Sequence, residues 1–145
     1  MQFRRLLPLA ALLFVPFAFA QSTSCPELPA STGLTWDRVD GAGFTFCKAI
    51  RDTDGQQAFA VMLRPDAQFR TRRSHREGDR VLIDGHEVFW YRGDVQNGMV
   101  RETLIELDRN STAHIVVRAD SEPELSEAQR AAQGLRFRDA RLGSN

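Results

Sequence analysis

The chain has 145 residues, 26% of them charged, with 19 basic and 19 acidic side chains that balance to zero. Such a balance excludes the general phosphate-backbone binding of a nucleic-acid protein, which needs a marked basic excess. It is the length of one domain once a leader is set aside, enough for one hydrophobic core and short for two.

Residues 1–20 read as a signal peptide. Arg4 and Arg5 supply a positive start, Leu6 to Phe19 an apolar run broken only by Pro8 and Pro16, and Ala18-Phe19-Ala20 a small-x-small cleavage site. The apolar run is shorter than the roughly 20 residues a membrane span needs. Cys25 stands too far past the cleavage point to be a lipidated cysteine. The expectation is therefore a periplasmic or secreted protein with no membrane span after cleavage. Removing Arg4 and Arg5 leaves 17 basic side chains (19 − 2) against 19 acidic ones, and Lys48 is the only lysine. Two cysteines remain, Cys25 and Cys47. In an oxidising compartment they predict a disulfide, worth roughly 3 kcal/mol through the unfolded state. A zinc site fits less well, because no histidine stands at a suitable spacing.

Residues 21–33, with Pro26 and Pro29, read as an extended N-terminal arm ahead of a single domain over 34–140. Leu34 to Val39 predicts a short strand and Asp40-Gly41-Ala42-Gly43 a turn. Phe44 to Ile50 alternates Phe44, Phe46, Lys48 and Ile50 against Thr45, Cys47 and Ala49, a strand with one mostly apolar face. Asp52 to Gly55 is a turn and Gln57 to Leu63 a third strand, which together make a hairpin. Residues 64–80 hold six arginines and one aromatic, Phe69. Pro65 stops the preceding strand, and the stretch is open between a loop, an edge strand and a helical turn.

Four apolar runs follow: Val81–Ile83, Val88–Tyr91, Met99–Leu107 and His114–Val117. Asp84-Gly85, Asn97-Gly98 and Arg109-Asn110-Ser111 separate them, and the first two tolerate the positive φ of tight hairpin turns. This predicts an antiparallel meander. The period then changes from two to about 3.6. Ser121-Glu122-Pro123-Glu124 is a capping box with proline just inside the helix. Leu125, Ala128, Ala132 and Leu135 form its apolar stripe, and Gly134 ends it. Residues 141–145 read as a disordered tail. The predicted fold class is α+β, an antiparallel sheet of six or seven strands with one main C-terminal helix packed on one face.

Motifs for chemistry are missing from this pattern. His75, His86 and His114 have no histidine or cysteine partner at ligand spacing. No Gly-x-Ser-x-Gly elbow, phosphate loop or dinucleotide fingerprint occurs. Glu102 and Glu106 sit i,i+4 on a strand, about 13–14 Å apart by strand rise, wider than the carboxylate pairs of glycosidases. The expectation is a non-enzymatic protein with no cofactor and no metal. Two constellations instead suggest a binding surface. Arg70, Arg72, Arg73 and Arg76 offer guanidinium forks for carboxylates or phosphates. In Phe89-Trp90-Tyr91 alternate side chains point to opposite faces, so either Trp90 or the Phe89/Tyr91 pair is expected to meet solvent or a partner.

The second half resembles the PsbP-like (DcrB-like) family of small exported α+β domains. The likeness lies in Ile83-Asp84-Gly85-His86-Glu87 before an aromatic strand, then strand, turn, strand, and a closing helix ending Gly134-Leu135-Arg136-Phe137. It implies a scaffold or partner-binding module without active-site residues. It also implies a helix between the early strands and the meander, where this chain has the short, arginine-rich stretch 64–80. The function expected is binding to a protein partner with an acidic surface, as an immunity or inhibitor protein would bind. A module for a small anionic ligand or envelope polymer, and a small hydrolase with an assembled site, are the alternatives.

Overall fold

The computed structural model describes residues 24–66, 69–94 and 98–138. The expected signal peptide (1–20) and the expected tail (141–145) lie outside the described residues. Among the described residues seven strands precede one α-helix: β1 (Leu34–Gly41), β2 (Phe44–Arg51), β3 (Gln57–Arg64), β4 (Arg76–Ile83), β5 (His86–Arg92), β6 (Met99–Asp108), β7 (Ser111–Ala119) and α1 (Glu122–Gln133). They form one sheet in the order β1-β2-β3-β7-β6-β5-β4, and every neighbouring pair is antiparallel.

The order shows two meanders rather than one. The first runs from the β1 edge inward to β3. The chain then jumps to the opposite edge and returns through β4, β5 and β6 to β7, which pairs with β3 from Phe59↔Val117 to Arg64↔Thr112. The jump spans four strand spacings, roughly 19 Å, and residues 65–75 have to make it. That task decides the conformation of the arginine-rich stretch. It runs irregularly through Phe69–Arg72, makes a single 3-10 turn at Arg73–His75, and enters β4 at Arg76. The edge strand thus begins five residues before the predicted Val81, with a register shift between Glu77 and Val81 that apolar content alone could not reveal.

Turn chemistry sets the hairpins. Asp84 (φ 47°) and Gly85 (φ 83°) both take the left-handed conformation, the pair of angles a two-residue type I′ hairpin demands. At Arg109-Asn110 the Asn110 N–H donates to the Asp108 carboxylate (2.9 Å).

Cross-strand register sorts the side chains into two faces. One gathers Cys47, Ala49, Phe59, Val61, Leu63, Ile83, Val88, Trp90, Ile105, Ala113, Ile115 and Val117, in one hydrophobic cluster with Leu125, Ala128 and Ala132 of α1 and with Leu135 and Phe137. The helix touches β7, β3 and β4. Its predicted stripe is its buried set. Ser121 caps it by accepting from the Glu124 N–H (3.5 Å). Glu124 reaches back to the N–H of Asp120 (3.2 Å), one residue beyond the N-cap.

The larger apolar side chains of β2 fall on the other side from those expected of a core face. Thr45, Cys47 and Ala49 are buried, whereas Phe44, Phe46, Lys48 and Ile50 are half-buried on the opposite face. Small residues suffice in the cluster because the Cys25–Cys47 disulfide (Cα–Cα 5.8 Å) fills the space beside them. The described part of the N-terminal arm, 24–33, is docked. Pro26 is fully buried, its carbonyl accepts from Trp36 Nε1 (2.7 Å), and Glu27 exchanges two backbone hydrogen bonds with Arg136 (2.8 and 3.1 Å).

Candidate functional site

The face opposite the cluster carries Phe46 and Lys48 (β2), Ala60, Met62 and Arg64 (β3), His114 and Val116 (β7), Glu102 and Leu104 (β6), and Phe89 and Tyr91 (β5), by the alternation of side chains along paired strands. The crossing between β3 and β4 passes over this face. Phe69 stacks flat on the His114 ring (centroids 4.9 Å, planes 3° apart) and meets Tyr91 edge-on at 5.9 Å. His114 Nε2 lies 2.9 Å from a Glu102 carboxylate oxygen. The histidine is thus held from the neighbouring strand by Glu102 and covered by Phe69, as a wall of the surface.

That arrangement overturns the expected exposure of the aromatics. Trp90 is only 3% exposed, within the cluster, and Tyr91 only 7% exposed, beneath Phe69. Neither presents a surface. Phe89 is half-buried, with the Arg76 guanidinium 4.1 Å and that of Arg80 5.5 Å from its ring centre, close enough for a cation–π attraction. Both faces of this strand can be covered because the arginine-rich crossing supplies a second layer that the alternation of β5 does not announce.

Arg70, Arg72, Arg73 and Arg76 are exposed. Among the described residues none of the four has a carboxylate in ion-pair range. The nearby acids are spent elsewhere or stand apart: Asp66 faces Arg64 (3.8 Å), and Glu77 pairs with Arg92 (3.4 Å) and with Arg101. The other histidines have local roles. His75 Nδ1 lies 3.2 Å from the Arg92 carbonyl oxygen, and His86 opens β5 opposite Ile83. Among the described residues no group of three or more His, Cys, Asp or Glu side chains converges as a metal site. No described helix is long and apolar enough to cross a membrane.

Among the described residues, two concavities bear on binding. One, of about 260 Å3, lies on this opposite face between Phe46, Met62, His114 and Val116, with Ala60 as its floor and Arg64 at one end. The other, of about 480 Å3, runs between α1 and the N-terminal arm, where Arg51 and Arg130 stand beside Glu124 and Glu127. Arg51 there is paired with Asp54 (3.0 Å). The first slot was not foreseen from the sequence, because its members come from three strands whose order is set by the β3–β7 junction. No family model, no curated protein and no solved structure matches this chain.

Proposed function

We propose that this is a small exported protein, not an enzyme, which binds an acidic surface of a partner protein through the crossing over 69–76. Immunity or inhibition directed at an exported toxin or wall hydrolase is the role that suits it. The single observation carrying this reading is the set of four exposed guanidinium groups, Arg70, Arg72, Arg73 and Arg76, without carboxylate partners among the described residues. Like charges concentrated within seven residues repel one another, a cost that a complementary surface would relieve. In this reading α1 packs over the cluster face, so that the opposite face with its arginines is left to the partner. The Cys25–Cys47 bridge supports export, since such bonds persist in oxidising compartments. The likeness to PsbP-like domains belongs to the same proposal.

The test begins with affinity capture from periplasmic extract and continues with a charge-reversed variant. An Arg72→Glu, Arg73→Glu double variant is expected to melt like the parent protein and to lose most of its affinity for the captured partner. Parent binding is expected to weaken from low to moderate salt, as screening shortens the field to about 8 Å at physiological ionic strength. A variant that binds the partner unchanged overturns the reading. Recovery of a bound anion without any protein partner would also overturn it, in favour of an anion-binding module.

A further inference from the structure

We propose that the slot beside Arg64 is the anchor pocket of this interface, and that it receives one aromatic side chain of the partner carried next to an aspartate or glutamate. The inference rests on the opposite face being the partner-binding face, and it names what the partner presents there.

Size limits the occupant first. A volume of about 260 Å3 falls short of the roughly 300–1,000 Å3 of small-molecule sites. It exceeds the roughly 150 Å3 that holds a benzene molecule. One aromatic ring fits, and a cofactor-sized ligand does not. The lining agrees. Ala60 leaves the floor low while Phe46, Met62 and Val116 rise around it, and methionine adapts its shape to an incoming ring. His114 closes one side, fixed by Glu102 and Phe69, so the slot is already formed. Val39 (47% exposed), paired across from Phe46, extends the apolar surface of the slot on the same face.

Charge sets what stands next to the ring. Arg64 Nε is buried and, among the described residues, has no hydrogen-bond partner. Asp66, which also lines the slot, is in ion-pair range at 3.8 Å but past hydrogen-bond distance, and its side chain is largely in solvent, so a partner carboxylate would displace it. A buried donor left unmade is costly, and the guanidinium fork matches a carboxylate. An acidic residue beside the aromatic would meet the exposed part of the same guanidinium, whose side chain is 28% exposed. Phe69, which holds the slot's histidine wall, is followed directly by Arg70. The apolar anchor and the cationic crossing are therefore contiguous, the layout of a hot spot with a charged rim.

The probe is a set of acetylated, amidated tripeptides, Asp-Phe-Asp, Asp-Ala-Asp and Lys-Phe-Lys, titrated into the disulfide-bonded protein with methyl and amide NMR detection. Asp-Phe-Asp is expected to shift the Met62 and Val116 methyls saturably, Asp-Ala-Asp to leave them unmoved, and Lys-Phe-Lys to bind at least about tenfold more weakly. Arg64→Gln should remove that preference for acidic flanks. Ala60→Leu, which fills the slot from its floor, should abolish the methyl shifts with an unchanged melting temperature. Equal binding of the Asp- and Lys-flanked peptides would overturn the role of Arg64. Tighter saturation by octanoate than by Asp-Phe-Asp would assign the slot to a free amphiphile and overturn the proposal. If Ala60→Leu keeps full affinity for the captured partner while the Arg72→Glu, Arg73→Glu variant loses it, the anchor fails and the arginine surface stands.

Discussion

Asp40 shows how an exposed carboxylate on this protein can still be tied to the fold. Arg38 donates to it from Nε and Nη2 (3.1 and 3.0 Å), and the buried Thr45 donates its hydroxyl (2.9 Å). The Arg38 bond first, then the Thr45 bond, hold its carboxyl below the ordinary value of 3.8, against a small desolvation effect. Asp54 is lowered in the same way, by Arg51 and then by the Gln56 N–H. A carboxyl whose folded pKa is depressed contributes stability above its unfolded value, and loses it as the pH falls through the folded one. Both contributions are therefore present in full above pH 3.8 and disappear below it. Asp40→Asn keeps an acceptor for Thr45 and removes the titration. Melting temperatures followed from neutral pH to below 3.8 should fall less steeply for the variant. An identical slope in both proteins would mean that the Arg38 contact adds nothing in solution.

At the scale of elements, the end of α1 offers a test free of backbone demands. Gly134 has an ordinary φ of −84°, so alanine there would normally be neutral or favourable. Here its Cβ would stand 2.5 Å from Cγ of Pro29, and the rigid proline ring belongs to the docked arm. Gly134→Ala is expected to destabilise by about 1–3 kcal/mol. Leu125→Ala, which empties a buried position in the cluster, should cost roughly 2–4 kcal/mol. Urea unfolding measures both, and a stabilised Gly134→Ala would show that the arm does not press on the helix end. Elements of this kind were legible. The stripe of α1, its cap, the Asp84-Gly85 turn and the cysteine pair are all local patterns. Register was not. A two-residue turn at Arg109-Asn110 pairs Asp108 with Ser111, and continuing that register would set His114 opposite Ile105 among the cluster residues. A shift between Glu106 and Asp108 sets it opposite Leu104 instead. One residue of slip moves a side chain to the other face, so the His114–Glu102 contact and the stacking of Phe69 had no sign in the sequence.

At the scale of the whole molecule, the fold depends on bringing distant chain ends to one place. The two meanders meet along β3–β7, and β5 pairs with β6 through Tyr91↔Glu102 and Arg92↔Arg101, continued by the Gly93 N–H donating to the Val100 carbonyl (3.0 Å). The sheet thus holds the β4–β5 hairpin at the end of β5 away from the Asp84-Gly85 tip, and the tip has a second attachment. The segment after α1 provides it. The Asp84 carboxylate at the hairpin tip accepts from the Phe137 N–H (2.9 Å) and faces the Arg136 guanidinium (3.6 Å). Arg136 is bonded on its backbone to Glu27 of the arm, which the disulfide two residues earlier fastens to β2. Hairpin, helix exit, arm and first meander are closed into one ring of contacts.

Asp84 therefore does two things, and the two can be separated. Its φ of 47° suits aspartate, asparagine or glycine, and its side chain is the acceptor for a main-chain donor next to the buried Phe137. Asp84→Asn keeps the turn conformation and a carbonyl acceptor while removing the charge facing Arg136. That pair is half-exposed on the arginine side, so its loss should change stability by less than about 1 kcal/mol. Asp84→Gly keeps the turn and removes the acceptor, leaving the Phe137 N–H unpaired at a cost of about 1–3 kcal/mol. Amide exchange is expected to rise in the glycine variant at Phe137, and also at Glu27 and along β4, because the ring of contacts opens as a unit. Exchange that rises at Phe137 alone would show the hairpin to be held by the sheet without help from the chain ends.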